Sequence, residues 1–202
     1  MCRSYPSLVL ALFLVLGLKA QRPTATFISE SLVRLDLDGI RVFADAPTDP
    51  VAAGIGVDDV VLFATEPASP PAGGRTFMPS MTGELLERRT ERLGEKTAIY
   101  VHPVVTPIGE APHYSYLVQW NGRRIYFTGE TTDTKELLAL TDLDLVFATP
   151  AIVAEVAKVG KEIGGRMVVI YHNTGKLEEV SVPCYRCKVM APAVGETIQL
   201  FR

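Results

Sequence analysis

The chain has 202 residues, a hydrophobic fraction of 48% and 20 basic against 23 acidic side chains, for a net charge of −3. That length suits a single domain with an ample core. The mild acidity, without any block of like charge, argues against nucleic acid or an anionic membrane surface as a partner.

Residues 1–20 read as a signal peptide. Arg3 gives a weakly basic start, Leu8 to Leu18 is an apolar run of about eleven residues, and Ala20 offers a small residue for cleavage before Gln21. The run is shorter than the roughly 20 residues a membrane-spanning helix needs. Export to the periplasm or the extracellular space is therefore expected, with no stable membrane insertion after cleavage; an uncleaved signal anchor is the alternative. Residues 21–202 form the single mature domain.

Thr24 to Leu37 alternates imperfectly, and Asp38-Gly39 is a turn signal leading into Ile40 to Phe43, which predicts an opening hairpin. Asp45 to Pro50 breaks it. Val60 to Ala64 is a continuous apolar run with β-branched residues at its start, as expected for a strand covered on both faces. The proline-rich stretch Thr65 to Gly74 cannot continue as helix or central strand, because proline removes a donor and restricts its predecessor. A short helix is expected from Gly83 to Leu93, with Glu84 four residues before Arg88 and Gly94 as its stop. Ala98 to Val105 reads as a strand that contains His102.

The stretch Tyr116 to Thr131 carries the clearest signal. Two strands flank Asn121-Gly122, a pair suited to the positive φ angles of a tight hairpin, and the second strand stops at Gly129-Glu130-Thr131. Beyond it, Asp133 and Glu136 have the spacing of a capping box before a helix over Lys135 to Leu140. Leu145 to Ala148 is a buried strand. Thr149 and Pro150 open a helix whose stripe of Ile152, Val153, Val156, Val159 and Ile163 runs to Gly164-Gly165. Met167 to Tyr171 follows, so strand, helix and strand make a parallel crossover. Periodicity alone gives a mixed α and β class.

Several strands end in polar residues: Glu66, Glu130, Thr149 and His172. In sheets of this kind ligands collect beyond the carboxyl ends of strands, which brings forward Glu66, Glu130 and His172, with His113 just ahead of the central hairpin. His102, inside a strand, is expected to pack or hydrogen-bond locally. No serine-hydrolase elbow and no phosphate-binding glycine loop is present.

The order of these parts resembles the metallo-β-lactamase-fold hydrolases, especially their small sugar-lactone and metal-dependent hydrolase-like branch. The residues that carry the resemblance are the acid-proline turn from Asp45 to Pro50, the approach Asp58 to Thr65, the Tyr116 to Thr131 hairpin, and Tyr171-His172-Asn173. The resemblance implies a four-layer αββα sandwich, in which helices cover two mixed sheets. It also implies a Thr-His-X-His-X-Asp-His loop, since two zinc ions need imidazoles and an aspartate converging from one segment. Thr65 matches, but Glu66 and Ala68 stand where histidines belong, and Pro70 and Pro71 replace the aspartate and the last histidine. His113 and His172 align with later family histidines, and Glu130 stands in for the bridging aspartate. What the resemblance leaves is Glu66, His113, Glu130 and His172, a site without a confident catalytic residue.

Two functions follow from that remnant. One is a degenerate, non-catalytic homologue, a pseudoenzyme or binding module for an unknown small molecule or protein, with no cofactor. The other is a divergent hydrolase holding one zinc ion. Cys184 and Cys187, three positions apart, suit a local disulfide in an exported protein, with a reduced pair as the alternative.

Overall fold

The computed structural model describes residues 22–45, 54–65, 74–79, 89–104, 112–172 and 181–201. The first sheet contains β1 (Thr24–Phe27), β2 (Val33–Leu37), β3 (Ile40–Ala44), β4 (Val60–Leu62) and β5 (Arg75–Phe77). The second contains β6 (Arg89–Arg92), β7 (Thr97–Val104), β8 (His113–Trp120) and β9 (Arg123–Phe127). After helix α1 (Lys135–Ala139) it gains β10 (Leu145–Ala148), and after helix α2 (Pro150–Lys158) it gains β11 (Met167–Ile170) and β12 (Lys188–Met190). Strand β13 (Thr197–Gln199) returns to the first sheet, whose order is β13-β1-β2-β3-β4-β5; the second runs β12-β11-β10-β9-β8-β7-β6. Both sheets are mixed. Neither helix is long and apolar enough to cross a membrane.

Alternation along the strands explains the layering. Val33, Leu35 and Leu37 of β2, Val60 and Leu62 of β4, and Val42 of β3 face the interior between the sheets. They meet Ile99, Val101, Tyr116, Val118, Ile125, Phe127 and Phe147 from the second sheet. The opposite parity of the second sheet, Leu117, Tyr126, Val146, Val168 and Ile170, packs beneath Leu137 of α1 and Ile152, Val153 and Val156 of α2. A smaller group, Leu32, Phe43, Val61 and Phe63, lies on the outer face of the first sheet. The layers are thus two sheets face to face with both described helices on one outer side.

The two hairpins close through left-handed residues: Asp38 and Gly39 have φ 49° and 86°, and Asn121 and Gly122 have φ 52° and 78°. Such pairs match the twist of the strands they join. Strand β4 lies between β3 and β5, parallel to both, which accounts for its unbroken apolar run. Strands β10 and β11 are parallel neighbours joined across α2.

Three elements differ from the sequence reading. Arg89 to Arg92, expected as the end of a helix, pair antiparallel with β7; Leu93 N–H and Gly94 N–H donate to the Thr97 carbonyl and close a hairpin there. The helical charge pair expected there is worth only a few tenths of a kcal/mol, too little to compete with strand pairing against an open sheet edge. Residues 83–88 lie outside the described residues. Helix α2 stops at Gly160, with φ 64°, well before Gly164. Lys161 N–H donates to the Val156 carbonyl and Gly160 N–H to that of Ala157, a left-handed closure that glycine makes at little cost. Val159 is consequently exposed, whereas Ile163 is buried from beyond the helix. The capping box at α1 is also absent: Asp133 accepts from Lys135 N–H, while Glu136 reaches His102 instead, Oε2 to Nδ1 3.1 Å. His102 thus bonds to α1 and also packs edge-on against Tyr126 of its own sheet, in keeping with the expected structural role.

One side chain ties the sheets together. The buried Tyr116 hydroxyl, on β8, donates to the Phe63 carbonyl at 2.6 Å and lies 3.1 Å from that of Phe77, at the ends of β4 and β5. Tyr116→Phe removes this link and leaves the Phe63 carbonyl without it, at an expected cost of about 1–3 kcal/mol. Urea unfolding of the variant checks the value; an unchanged midpoint contradicts it.

Candidate functional site

The carboxyl ends of β3, β9 and β11 and the start of β8 lie together at one end of the sandwich. Asp45 follows β3, Gly129-Glu130 follow β9, and His172 follows β11, each strand turning sharply: φ is 57° at Asp45, 65° at Gly129 and 54° at His172. Left-handed backbone costs a non-glycine residue roughly 1–2 kcal/mol. Backbone hydrogen bonds hold it in place, since Asp45 N–H donates to Leu62 at 2.8 Å and His172 N–H to Glu30 at 2.8 Å. The result points Asp45 and His172 at each other across the two sheets.

His172 lies between two carboxylates. Its Nε2 is 3.5 Å from Asp45 Oδ2 and its Nδ1 is 3.4 Å from Glu130 Oε1. Both contacts are at the long end of ion-pair range. Glu130 is 55% exposed at its side chain, whereas His172 is 19% and Asp45 12% exposed, so the Asp45 side of the ring is the drier one. The His172 ring also meets Tyr171 edge-on, centroids 4.6 Å apart. The second oxygen of Asp45, Oδ1, accepts from Ala64 N–H at 3.3 Å, which fixes the carboxylate to the end of the approach strand.

Asp45 is the charge that the other groups feel. Burial first, and then Asp45, pushes the Tyr116 and Tyr171 hydroxyls well above the usual tyrosine range. His113 is held below the ordinary histidine value because burial outweighs the opposing pull of Asp45 and Glu130. Its ring is thus kept neutral beside a carboxylate. Sequence reasoning named His113, Glu130 and His172 but overlooked Asp45, Tyr116 and Tyr171 as members of this cluster. A signal was present, since Asp45 ends a buried strand just as Glu130 and His172 do. Glu66 lies outside the described residues, and Thr149 caps α2, its Oγ1 accepting from Ile152 N–H.

Gly129 sets the space. A Cβ built on it would fall 2.6 Å from His113 Nε2, 2.7 Å from Ala64 Cβ and 3.0 Å from the Tyr114 carbonyl. The His113 ring nitrogen therefore packs against the Gly129 backbone. Four buried polar atoms in the cluster, Asp45 Oδ2, His113 Nε2, Tyr171 Oη and His172 Nε2, have no hydrogen-bond partner of good geometry. Their chemistry, two imidazoles with a carboxylate, is that of a single-ion site. Their arrangement does not match it, because among the described residues no three such side chains come together as ligands of one ion. Among the described residues the strand ends do not bring together the ligands of a dinuclear centre.

Gly129→Ala combines a disfavoured φ with that close approach, and the expected loss is about 2 kcal/mol or more. A thermal melt checks it, and a variant as stable as the parent contradicts the packing of His113 on Gly129.

No family model matches the chain, and no curated protein matches it. Solved structures do. A proposed metal-dependent hydrolase from Parabacteroides distasonis superposes with a TM-score of 0.62 at 16% identity, over 84% of this chain and 92% of that one. The metallo-β-lactamase fold protein YhfI from Bacillus subtilis gives 0.61 at 10% identity, over 88% and 99%. Igni18, a metallo hydrolase from Ignicoccus hospitalis, gives 0.57 at 13% identity, over 88% and 98%. At these identities the likeness is one of architecture, and what this chain shares with them is the metallo-β-lactamase fold.

Proposed function

We propose that this protein is an exported, catalytically degenerate member of the metallo-hydrolase fold, a four-layer sandwich nearest the sugar-lactone hydrolase-like branch, that binds a small molecule or a protein at its strand ends. The carrying observation is how the remaining imidazoles are used: His172 faces Asp45 on one side and Glu130 on the other, and His113 Nε2 packs against Gly129. The sequence supports the same reading, with Glu66, Ala68, Pro70 and Pro71 in place of the histidine-rich loop. Two strand-end carboxylates, two imidazoles and two tyrosine hydroxyls remain, a set suited to hydrogen-bonding a polar group; its members are numerous enough for one zinc, but among the described residues they are not grouped around a single point as water activation on zinc needs.

A second reading is favoured by the buried polar atoms without good partners: a mononuclear metal-dependent hydrolase using His113, Glu130 and His172. It requires the imidazoles to leave their present contacts.

Zinc titration of the mature protein separates the two. The expected dissociation constant is no tighter than micromolar, about −8 kcal/mol, with no metal-dependent hydrolysis of lactone, phosphodiester or β-lactam substrates. Stoichiometric tight zinc with a measurable rate in the wild type, both lost in His172→Ala, replaces the first reading with the second.

Export and the disulfide form part of the same proposal. Cys184 and Cys187 lie with their sulfurs in contact and their Cα atoms 5.9 Å apart, a separation within the disulfide range. The protein recovered from the extracytoplasmic fraction should begin near Gln21 and resist thiol labelling until reduced. An intact Met1 counts against cleavage, and full labelling before reduction counts against the bond.

A further inference from the structure

The hairpin turn at Asn121-Gly122 is at the opposite end of β8 and β9 from the cluster around Asp45. A strand of eight residues separates the two ends by roughly 25 Å. At this far end the outer face of the second sheet carries a cavity of about 390 Å³.

Strand register shows how the cavity is built. On the outer parity, Arg92 of β6 pairs with Ala98 of β7, and Ala98 pairs with Gln119 of β8. The small Ala98 side chain is flanked by two long ones and forms a floor. One step along, Tyr100 pairs with Thr90 and raises a wall, its hydroxyl donating to Gln119 Oε1 at 2.9 Å. That bond uses the oxygen of the Gln119 amide, whose NH₂ remains a donor on a residue that lines the cavity. The apolar cluster beneath α1 and α2 reaches Tyr100 at its margin, and the cavity lies beyond that margin.

Its chemistry is donor-rich. Arg92 and Lys96 line it, and neither has an ion-pair partner among the described residues, although the whole chain carries a net charge of −3. Asn121 adds a second amide. Glu95 stands among them as the acidic group. Two separate cations with one nearby carboxylate suit a monoanion better than a phosphate dianion, which would be placed against Glu95. A volume of about 390 Å³ also exceeds what a bare anion fills and falls in the range of sites for small organic ligands. The remaining lining, amides, threonine hydroxyls and one tyrosine ring, matches a body bearing several hydroxyls.

We propose that this cavity binds a small hydroxylated carboxylate of about hexose size, an acidic sugar in chemical class, with the carboxylate at Arg92 and Lys96, a hydroxyl donating to Glu95, and the body over Ala98 beside Tyr100. The site is separate from the strand-end cluster and independent of whether that cluster holds a metal.

Titration of the ¹⁵N-labelled protein with glucuronate, glucose and inorganic phosphate tests it. Glucuronate should bind with a dissociation constant in the millimolar range or tighter and shift the amides of Ala98 and Asn121. Glucose and phosphate should each bind at least tenfold more weakly. Ala98→Leu, which fills the floor from the open side, and Arg92→Gln, which removes one cation, should each weaken glucuronate at least tenfold without altering the rest of the spectrum. Equal binding of glucose shows that the carboxylate is not recognised, equal binding of phosphate shows that only charge is, and undiminished binding by Ala98→Leu places the ligand elsewhere; any of these overturns the proposal. Should Arg92→Gln fail to fold, the Ala98→Leu comparison and the three-ligand series still decide.

Discussion

The placement of one carboxylate, Asp45, between two sheets is the constraint on which the strand-end region depends. Its Oδ1 is held by the backbone of Ala64, its Oδ2 faces His172, and its charge reaches Tyr116, Tyr171 and His113. A charge taken out of water has to be met by hydrogen bonds or by an opposite charge. Here it is met partly, and the surrounding residues bear the consequences: tyrosines kept protonated, and one histidine kept neutral by burial despite the carboxylates near it. The left-handed backbone at Asp45 and His172 adds a further cost, and the backbone hydrogen bonds to Leu62 and Glu30 hold it in place.

The metallo-β-lactamase fold of this chain does not depend on that region. The fold rests on the two interlocked apolar faces and on links such as Tyr116 to the Phe63 carbonyl. None of these requires an ion. The composition of the strand ends can therefore vary while the sheets remain packed, since the sites of a fold vary more freely than its core.

The sequence made the hairpins and the crossover legible because their signals are local. Asn121-Gly122 and Asp38-Gly39 need nothing beyond their own φ preferences, and the apolar runs of β4 and β10 announce burial on both faces. Helix α2 was readable at its start, where Thr149 and Pro150 act within one turn, and misread at its end, where Gly160 outcompeted an apolar stripe that continued past it in sequence alone. Arg89 to Arg92 was misread for a complementary reason: its helical charge spacing is a local cue, and the sheet edge that recruits it is distant in the chain. The site divided along the same line. His113, Glu130 and His172 could be proposed from strand ends; Asp45 carries the same strand-end signal, but its pairing with His172 of the second sheet, well over a hundred positions later, is not local and only the fold shows it.

The margins of the two sheets bear on how this protein can meet another copy of itself. Among the described residues, the outermost strands are β13, β5, β12 and β6. Three of them are only three residues long, and the fourth, β6, reads Arg-Thr-Glu-Arg. Lys188 begins β12 and Arg75 begins β5. Short margins bearing charged side chains offer a poor template for an additional strand, because a newcomer would gain few backbone hydrogen bonds and would have to desolvate lysine or arginine to make them. Growth of either described sheet into a neighbouring molecule through these margins is thereby discouraged.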